Sequence, residues 1–149
     1  MRTFVLAVAI ALDSVAATAA PEIVSYAIVQ DDGSLRVQGR TIRLFAVHIP
    51  SSERICRTLI RPVRCAPQAV LALDFRIGAR FVRCQRAGAA RDGSLLAVCR
   101  VEGQDLGAYL IAQGLALARP EAPFSYIALE RIARARHLGL WGFPAEPFD

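Results

Sequence analysis

The residues best suited to metal or phosphate chemistry lie in the first half of the chain. Carboxylates such as Asp32 and Glu53 are ligands that hard cations prefer, and an arginine such as Arg43 can neutralise a phosphate oxygen. His48 adds an imidazole, which suits zinc or copper better than calcium. Asp32, His48 and Glu53 are therefore weak candidates for a metal site, because a lone histidine at a strand end is more often structural or simply exposed.

A basic segment follows these residues. Between positions 50 and 65 it carries Arg54, Arg57, Arg61 and Arg64. All 18 basic residues of the chain are arginine, and the formal net charge is +5. This charge is compatible with an anionic partner such as nucleic acid, whose backbone the segment could contact. A solvated loop is the alternative, and the use of arginine throughout can equally reflect genomic base composition.

Five short motifs occur in order along the chain. They are VQDDGSL at 29–35, RLFAVHIP at 43–50, RDGSLLAVC at 91–99, GQDL at 103–106 and GLW at 139–141. In order and spacing they resemble the thermonuclease, or staphylococcal nuclease-like, family. The resemblance covers roughly residues 23–142. It implies an α+β fold that is mainly β, a five-stranded Greek-key barrel of the OB type with about three α-helices.

The resemblance also implies a degenerate active site. Active members of the family bind one calcium ion through carboxylates, activate a water with a glutamate and hold the phosphate with two arginines. Aligning on Arg43, the first phosphate-binding arginine, carries these positions over. The two metal carboxylates fall on Gly33 and His48, the general base on Ser51 and the second arginine on Ser94. Only Arg43 is retained, so no residue is confidently catalytic and no calcium cofactor is expected.

We therefore expect a binding or interaction module without calcium-dependent nuclease activity. Its partner would be an anionic ligand, nucleic acid among them, or a protein. The candidates for phosphate contact are Arg43, Arg54 and Arg57. The alternative is a weak or metal-altered phosphodiesterase that hydrolyses DNA or RNA with Arg43 and the metal candidates described above.

The first 19 residues have the pattern of a secretory signal peptide. Arg2 is followed by an apolar run, and Ala17 and Ala19 form a small-residue cleavage site. The apolar run is too short for an ordinary membrane span, so no stable span is expected. Residues 20–149 would form a single exported domain, periplasmic or secreted, with an uncleaved N-terminal anchor as the alternative.

Four cysteines suit an exported chain, in which disulfides form and persist. Cys84 and Cys99 lie in two consecutive predicted strands, so a hairpin would place them opposite each other. Cys56 and Cys65 lie in a segment predicted to be irregular, which a short bridge would order. The expected pairs are Cys84–Cys99 and Cys56–Cys65.

Apolar periodicity and turn residues predict the elements that must position these groups. Strands are expected at residues 23–30, 35–38, 41–47, 80–86 and 94–101, and helices at 66–77, 104–113 and 125–137. Ser125 is a candidate N-cap for the last helix. The first three strands form a meander with turns at 31–34 and at 39–40. No internal repeat is evident at this level.

Overall fold

A computed structural model of the chain describes residues 21–50, 55–57 and 62–142, with side chains for 21–50 and 66–142. The predicted signal segment, residues 1–19, lies outside the described residues. Within these ranges, no helix has the length and apolar character needed to cross a membrane.

The N-terminal third forms the expected meander. Its strands are β1 (Glu22–Ser25), β2 (Ala27–Val29), β3 (Leu35–Val37), β4 (Arg40–Leu44) and the short β5 (Val47–His48). The strand predicted at 23–30 is interrupted at Tyr26. The strand predicted at 41–47 ends early because Ala46 has a φ of 56°, a left-handed conformation that a regular strand excludes.

The remaining elements include all three predicted helices. In chain order they are β6 (Ile55–Arg57), β7 (Pro62–Arg64), α1 (Cys65–Ile77), β8 (Val82–Ala89), β9 (Leu95–Val101), β10 (Gln104–Asp105), α2 (Leu106–Ala112), β11 (Leu117–Ala118) and α3 (Phe124–Ala135). The expectation of an irregular segment at 50–65 was wrong, because β6 and β7 pair as an antiparallel hairpin. Helix α2 begins later than predicted because Gln104 and Asp105 first pair with β9.

One mixed sheet organises the fold. Its strand order is β1-β8-β9-β4-β3-β2, with β10 added to β9. The β4–β9 pairing is parallel and the other pairings along this path are antiparallel. The strands at the two ends of the path, β1 and β2, are consecutive parts of one segment separated only by Tyr26. The chain is thus an α+β protein in which one N-terminal segment pairs with both ends of the sheet.

A single apolar core lies between the inner face of the sheet and the helices. The sheet contributes alternate residues of β3, β4, β8 and β9, and the helices contribute Leu73 and Ile77 of α1 and Leu106, Leu110 and Ile111 of α2. Alternation is what a strand requires, because successive side chains point to opposite faces of the sheet. The outward residues of the same strands, Arg43 among them, are therefore left to form surface sites.

Asp105 joins three elements at the start of α2. Its Oδ1 accepts a hydrogen bond from the backbone N–H of Ala108 (3.0 Å), which caps the helix. The Tyr126 hydroxyl on α3 donates to the same carboxylate (2.8 Å). Gly107 fits beneath this contact because a Cβ there would crowd Val47 and the Tyr126 hydroxyl. The expected Ser125 cap of α3 was wrong, since the N-cap position is Pro123 and carries no side-chain cap.

The Cys84–Cys99 disulfide is present, as the predicted hairpin requires. The two residues are directly paired between β8 and β9, with Cα atoms 4.1 Å apart, and both are fully buried. The side chains of Cys56 and Cys65 lie outside the described residues, so that pairing stays a prediction. The core of the sheet therefore carries one covalent cross-link between its two longest strands.

Replacing Cys84 and Cys99 together by alanine should lower the free energy of unfolding by about 3 kcal/mol, the chain-entropy value for a loop of this length. Urea denaturation of the double variant and the parent protein would measure the difference. Peptide mapping without reductant should recover Cys84 linked to Cys99. Recovery of Cys56–Cys99 or Cys65–Cys84 instead would contradict both the pairing and the hairpin register.

Candidate functional site

Two turns of identical sequence and geometry form the base of the site. Asp32-Gly33-Ser34 precedes β3, and Asp92-Gly93-Ser94 precedes β9. In each turn the aspartate Oδ1 accepts from the serine backbone N–H (2.9 and 3.0 Å) and from the serine hydroxyl (2.6 Å in both). The central glycines have φ of 77° and 82°, a region that an L side chain disfavours. In each turn the second carboxylate oxygen, Oδ2, is not used by the serine of that turn, which is itself buried.

The sheet brings both turns to Arg43. Ile42 of β4 is paired with Leu35 on one side and with Leu95 on the other. The turns that lead into these leucines therefore flank β4 from both sides. Because Ile42 and Leu44 point into the core, Arg43 between them points outward, toward the two turns.

Arg43 is engaged by both turns at once. Its Nε donates to Ser94 Oγ (3.2 Å), and its Nη2 donates to Asp92 Oδ2 (3.0 Å). Its Nη1 lies 3.5 Å from Asp32 Oδ2. With one arginine and two aspartates, the cluster has a formal charge of −1. The arginine predicted from the sequence resemblance to contact phosphate is thus already paired with carboxylates of the same chain.

The pKa values of both aspartates lie below the ordinary value for this side chain. For Asp92, the hydroxyl and the backbone N–H of Ser94 favour the charged form most strongly, and Arg43 adds to their effect. For Asp32, partial burial by itself raises the pKa, but the hydrogen bonds from Ser34 and the charge of Arg43 outweigh it. Both groups are therefore ionised at neutral pH and act as anions, not as proton donors.

An open groove of about 650 Å³ lies beside the cluster. Its charged lining residues among those described are three arginines and three carboxylates, together with one histidine; they are Arg43, Arg91, Arg119, Asp32, Asp92, Glu121 and His48. The formal charges of the arginines and carboxylates cancel. The described part of the groove therefore offers no net positive charge to attract a polyanion.

The residues predicted from sequence are only partly brought together. Gly33, Arg43 and His48 line the groove, and Ser94 is hydrogen-bonded to Arg43. His48 ends β5 and is exposed, opposite Leu117 of β11. Ser51, Glu53 and Arg54 lie outside the described residues. The backbone of Arg57 belongs to β6, but its side chain is not described.

A bound metal ion requires several ligand side chains close to one point. Across the residues that the structure describes, no group of three or more His, Cys, Asp or Glu side chains is placed to hold a metal ion. The proposed combination of Asp32 and His48 with Glu53 includes a residue outside those ranges. Asp32 already accepts a hydrogen bond from the Ser34 hydroxyl and forms an ion pair with Arg43.

Sequence reasoning missed Asp92, the closer of the two carboxylates to Arg43. A signal was available, because the tetrapeptide Asp-Gly-Ser-Leu occurs at residues 32–35 and again at 92–95. The expectation that the chain contains no repeat was wrong at this scale. Two identical turns on either side of one strand predict two carboxylates near the same outward side chain.

Comparison of the chain with models of known protein families and with curated proteins gave no match.

Stability at acid pH should depend on these two carboxylates. Their pKa values are lower in the folded chain than in the unfolded chain, where aspartate titrates near pH 3.9, so the unfolded state binds protons first as the pH falls. Their contribution is fully present above that value and is lost as the pH drops through the folded pKa. Thermal melts of an Asp32→Asn, Asp92→Asn double variant should show a shallower loss of stability below about pH 4.

The exposed neighbour Asp31 provides the matched control. An Asp31→Asn variant should keep the acid sensitivity of the parent protein. Equal pH profiles for the parent and the double variant would show that the two turns do not stabilise the charged forms.

Proposed function

We propose that this chain is a thermonuclease-like domain of the OB-barrel type that lacks calcium-dependent phosphodiester cleavage and serves as an interaction module, with a protein as its partner. The observation that carries this proposal is the capture of Arg43 by Asp32 and Asp92. The motifs at 29–35, 43–50, 91–99, 103–106 and 139–141 connect the chain to that family.

The strand arrangement supports the barrel assignment. An OB barrel is a five-stranded Greek-key sheet that closes on itself. Here β1 and β2 occupy the two ends of the strand order although they belong to one segment, and the parallel β4–β9 pairing joins the meander to the β8–β9 hairpin. Counting β1 and β2 as one bent strand leaves five main strands along that path: β1–β2, β3, β4, β8 and β9.

The electrostatics of the cluster argue against phosphate binding at Arg43. A phosphate would have to displace two carboxylates and remain beside a group of net charge −1. The side chains are about half exposed, so the ion pairs are screened by water and contribute little to stability. The aspartates nevertheless stay ionised, and their charge would repel any anion that approached the guanidinium.

Gly33 is a poor position for a metal carboxylate in this backbone. Its φ of 77° disfavours an L residue, and a Cβ at this position would collide with the Ile49 side chain. An aspartate at 33 would therefore require the turn to change shape. The replacement of the family aspartate by glycine is thus accompanied by a local backbone that suits glycine.

An anionic partner is less favoured than a protein partner by the described surface. The described lining residues of the groove have balanced formal charges. By contrast, several large apolar side chains are exposed on the β1–β2 segment. Clustered apolar surface of this kind is typical of protein interaction sites.

Calcium should leave the thermal stability of the protein unchanged at millimolar concentration. Any ion that bound the folded state alone would raise the melting temperature by mass action. Differential scanning fluorimetry with calcium, and with a chelator as control, measures this. A rise of several degrees in calcium would contradict the assignment of a degenerate site.

The purified protein should not cleave a fluorescently labelled single-stranded DNA oligonucleotide in the presence of calcium, magnesium or zinc, because the groove lacks a converged set of metal ligands among its described residues. An Arg43→Ala variant tests the site itself, and its folding is checked by its melting temperature. Cleavage by the parent protein that Arg43→Ala abolishes would overturn the proposal and favour a phosphodiesterase. Cleavage that survives the substitution would indicate a contaminating nuclease.

A further inference from the structure

The β1–β2 segment is largely apolar on both of its faces. Ile23, Ala27 and Val29 pack against the core from its inner side. Its outward side chains are Glu22 at the start and then Val24, Tyr26 and Ile28, an alternating apolar row where polar residues are expected on a solvated face. Strands with apolar residues on both sides are typical of strands covered on both sides.

The outward row is nevertheless open to solvent. Val24, Tyr26 and Ile28 are 39%, 61% and 66% exposed, and Phe81 beside them is 55% exposed. The rings of Tyr26 and Phe81 pack against each other with centroids 4.4 Å apart. These four residues form one contiguous surface, which we call the outer apolar patch. Its aromatic pair is of the kind that supplies binding energy at protein interfaces.

Basic side chains border the outer apolar patch. Arg83 is directly opposite Val24, and Arg36 is directly opposite Ile28. Arg83 is largely exposed, and its contact with Glu22 is 3.4 Å long and open to water. Arg100 lies opposite Arg83 on the next strand and donates to Gln85. Arg36 forms no ion pair with any residue that the structure describes.

These charges distinguish between possible occupants. A second copy docking through the same patch would bring its own arginines toward Arg36 and Arg83, which is unfavourable. Single-stranded nucleic acid needs aromatic faces for successive bases, but the flanking Val24 and Ile28 provide no ring to stack upon. A peptide with apolar side chains at alternate positions matches the spacing of the row, because both are extended chains. Acidic residues on that same face of the peptide, at the two ends of its apolar row, would face the arginines.

We propose that the outer apolar patch docks an extended segment of a partner protein whose one face carries alternate apolar side chains flanked, on that same face, by acidic residues. The partner's apolar side chains pack on Val24, Tyr26, Ile28 and Phe81, and its carboxylates pair with Arg36 and Arg83. This inference rests on the proposed function as a protein interaction module and adds the surface and the chemistry of the partner.

Two matched synthetic peptides test the proposal. Both carry leucine or phenylalanine at alternate positions with serine between them, and the next alternate position at either end of that row, on the same face, is glutamate in one peptide and lysine in the other. Fluorescence anisotropy with the purified protein should show the glutamate peptide binding at least about ten-fold more tightly than the lysine peptide, with the preference reduced by salt. Equal binding of the two peptides, or no binding of either, would overturn the proposal.

Three variants locate the binding. Tyr26→Ser with Phe81→Ser should weaken the glutamate peptide by about ten-fold or more, as expected for loss of an aromatic anchor. Phe124→Ser, at a phenylalanine of α3 that is more exposed than Phe81, should leave binding unchanged. Arg36→Glu with Arg83→Glu should reverse the preference toward the lysine peptide. Unchanged binding in the first variant, or an unchanged preference in the last, would place the peptide elsewhere and refute the site.

The remaining outcomes separate the alternatives. If the protein binds an oligothymidylate and the Tyr26→Ser, Phe81→Ser variant does not, the occupant is nucleic acid. If the protein self-associates in sedimentation and the same variant does not, the occupant is a second copy. Either result overturns the proposal. DNA cleavage dependent on Arg43 would defeat the proposed function and leave the peptide result to stand by itself. Failure of the peptides without cleavage would remove only this docking site.

Discussion

The guanidinium of Arg43 has all three of its nitrogen atoms engaged by groups of its own chain, and the character of the neighbouring groove follows from this. Ser94 and Asp92 bind it from one side and Asp32 approaches from the other. The parallel pairing of β4 with β9 is what makes this possible, because it sets the second turn beside the first. An arginine held in this way organises two loops. Its guanidinium is therefore less accessible to a ligand than that of an unpaired arginine.

Each turn can pair with Arg43 because its internal hydrogen bonds use only one of the two oxygens of its aspartate. A serine hydroxyl and a serine amide occupy one oxygen of each aspartate, which leaves the other oxygen for Arg43. Ser94 therefore has a structural use, in fixing Asp92 and accepting from Arg43. A substitution at any one of these positions would disturb the whole hydrogen-bonded unit.

Local sequence patterns predicted the parts of the fold that depend on neighbouring residues. The Asp-Gly-Ser turns, the apolar alternation of β3 and β4 and the three helices are all of this kind. The register that brings Asp92 to Arg43 is not, because it depends on a pairing between strands that are distant in sequence. The break at Tyr26 likewise reflects long-range pairing, because the strands on its two sides pair with β8 and with β3. Sequence singled out Arg43 as a candidate for ligand contact, but it could not indicate that this arginine is already paired with Asp32 and Asp92.

The shared carboxylate of Asp105 has a consequence for how the C-terminal half comes apart. It caps α2 through Ala108 and accepts from Tyr126 of α3, while its own backbone belongs to β10 on the edge of β9. Burial and this hydrogen bond raise the pKa of the Tyr126 hydroxyl well above its ordinary value. If α3 detaches, the Asp105 carboxylate that caps α2 loses its hydrogen bond from Tyr126. The strand β10, which carries Asp105, loses the same support. The two helices and the sheet edge therefore belong to one cooperative opening unit, within which partial detachment of α3 alone is disfavoured.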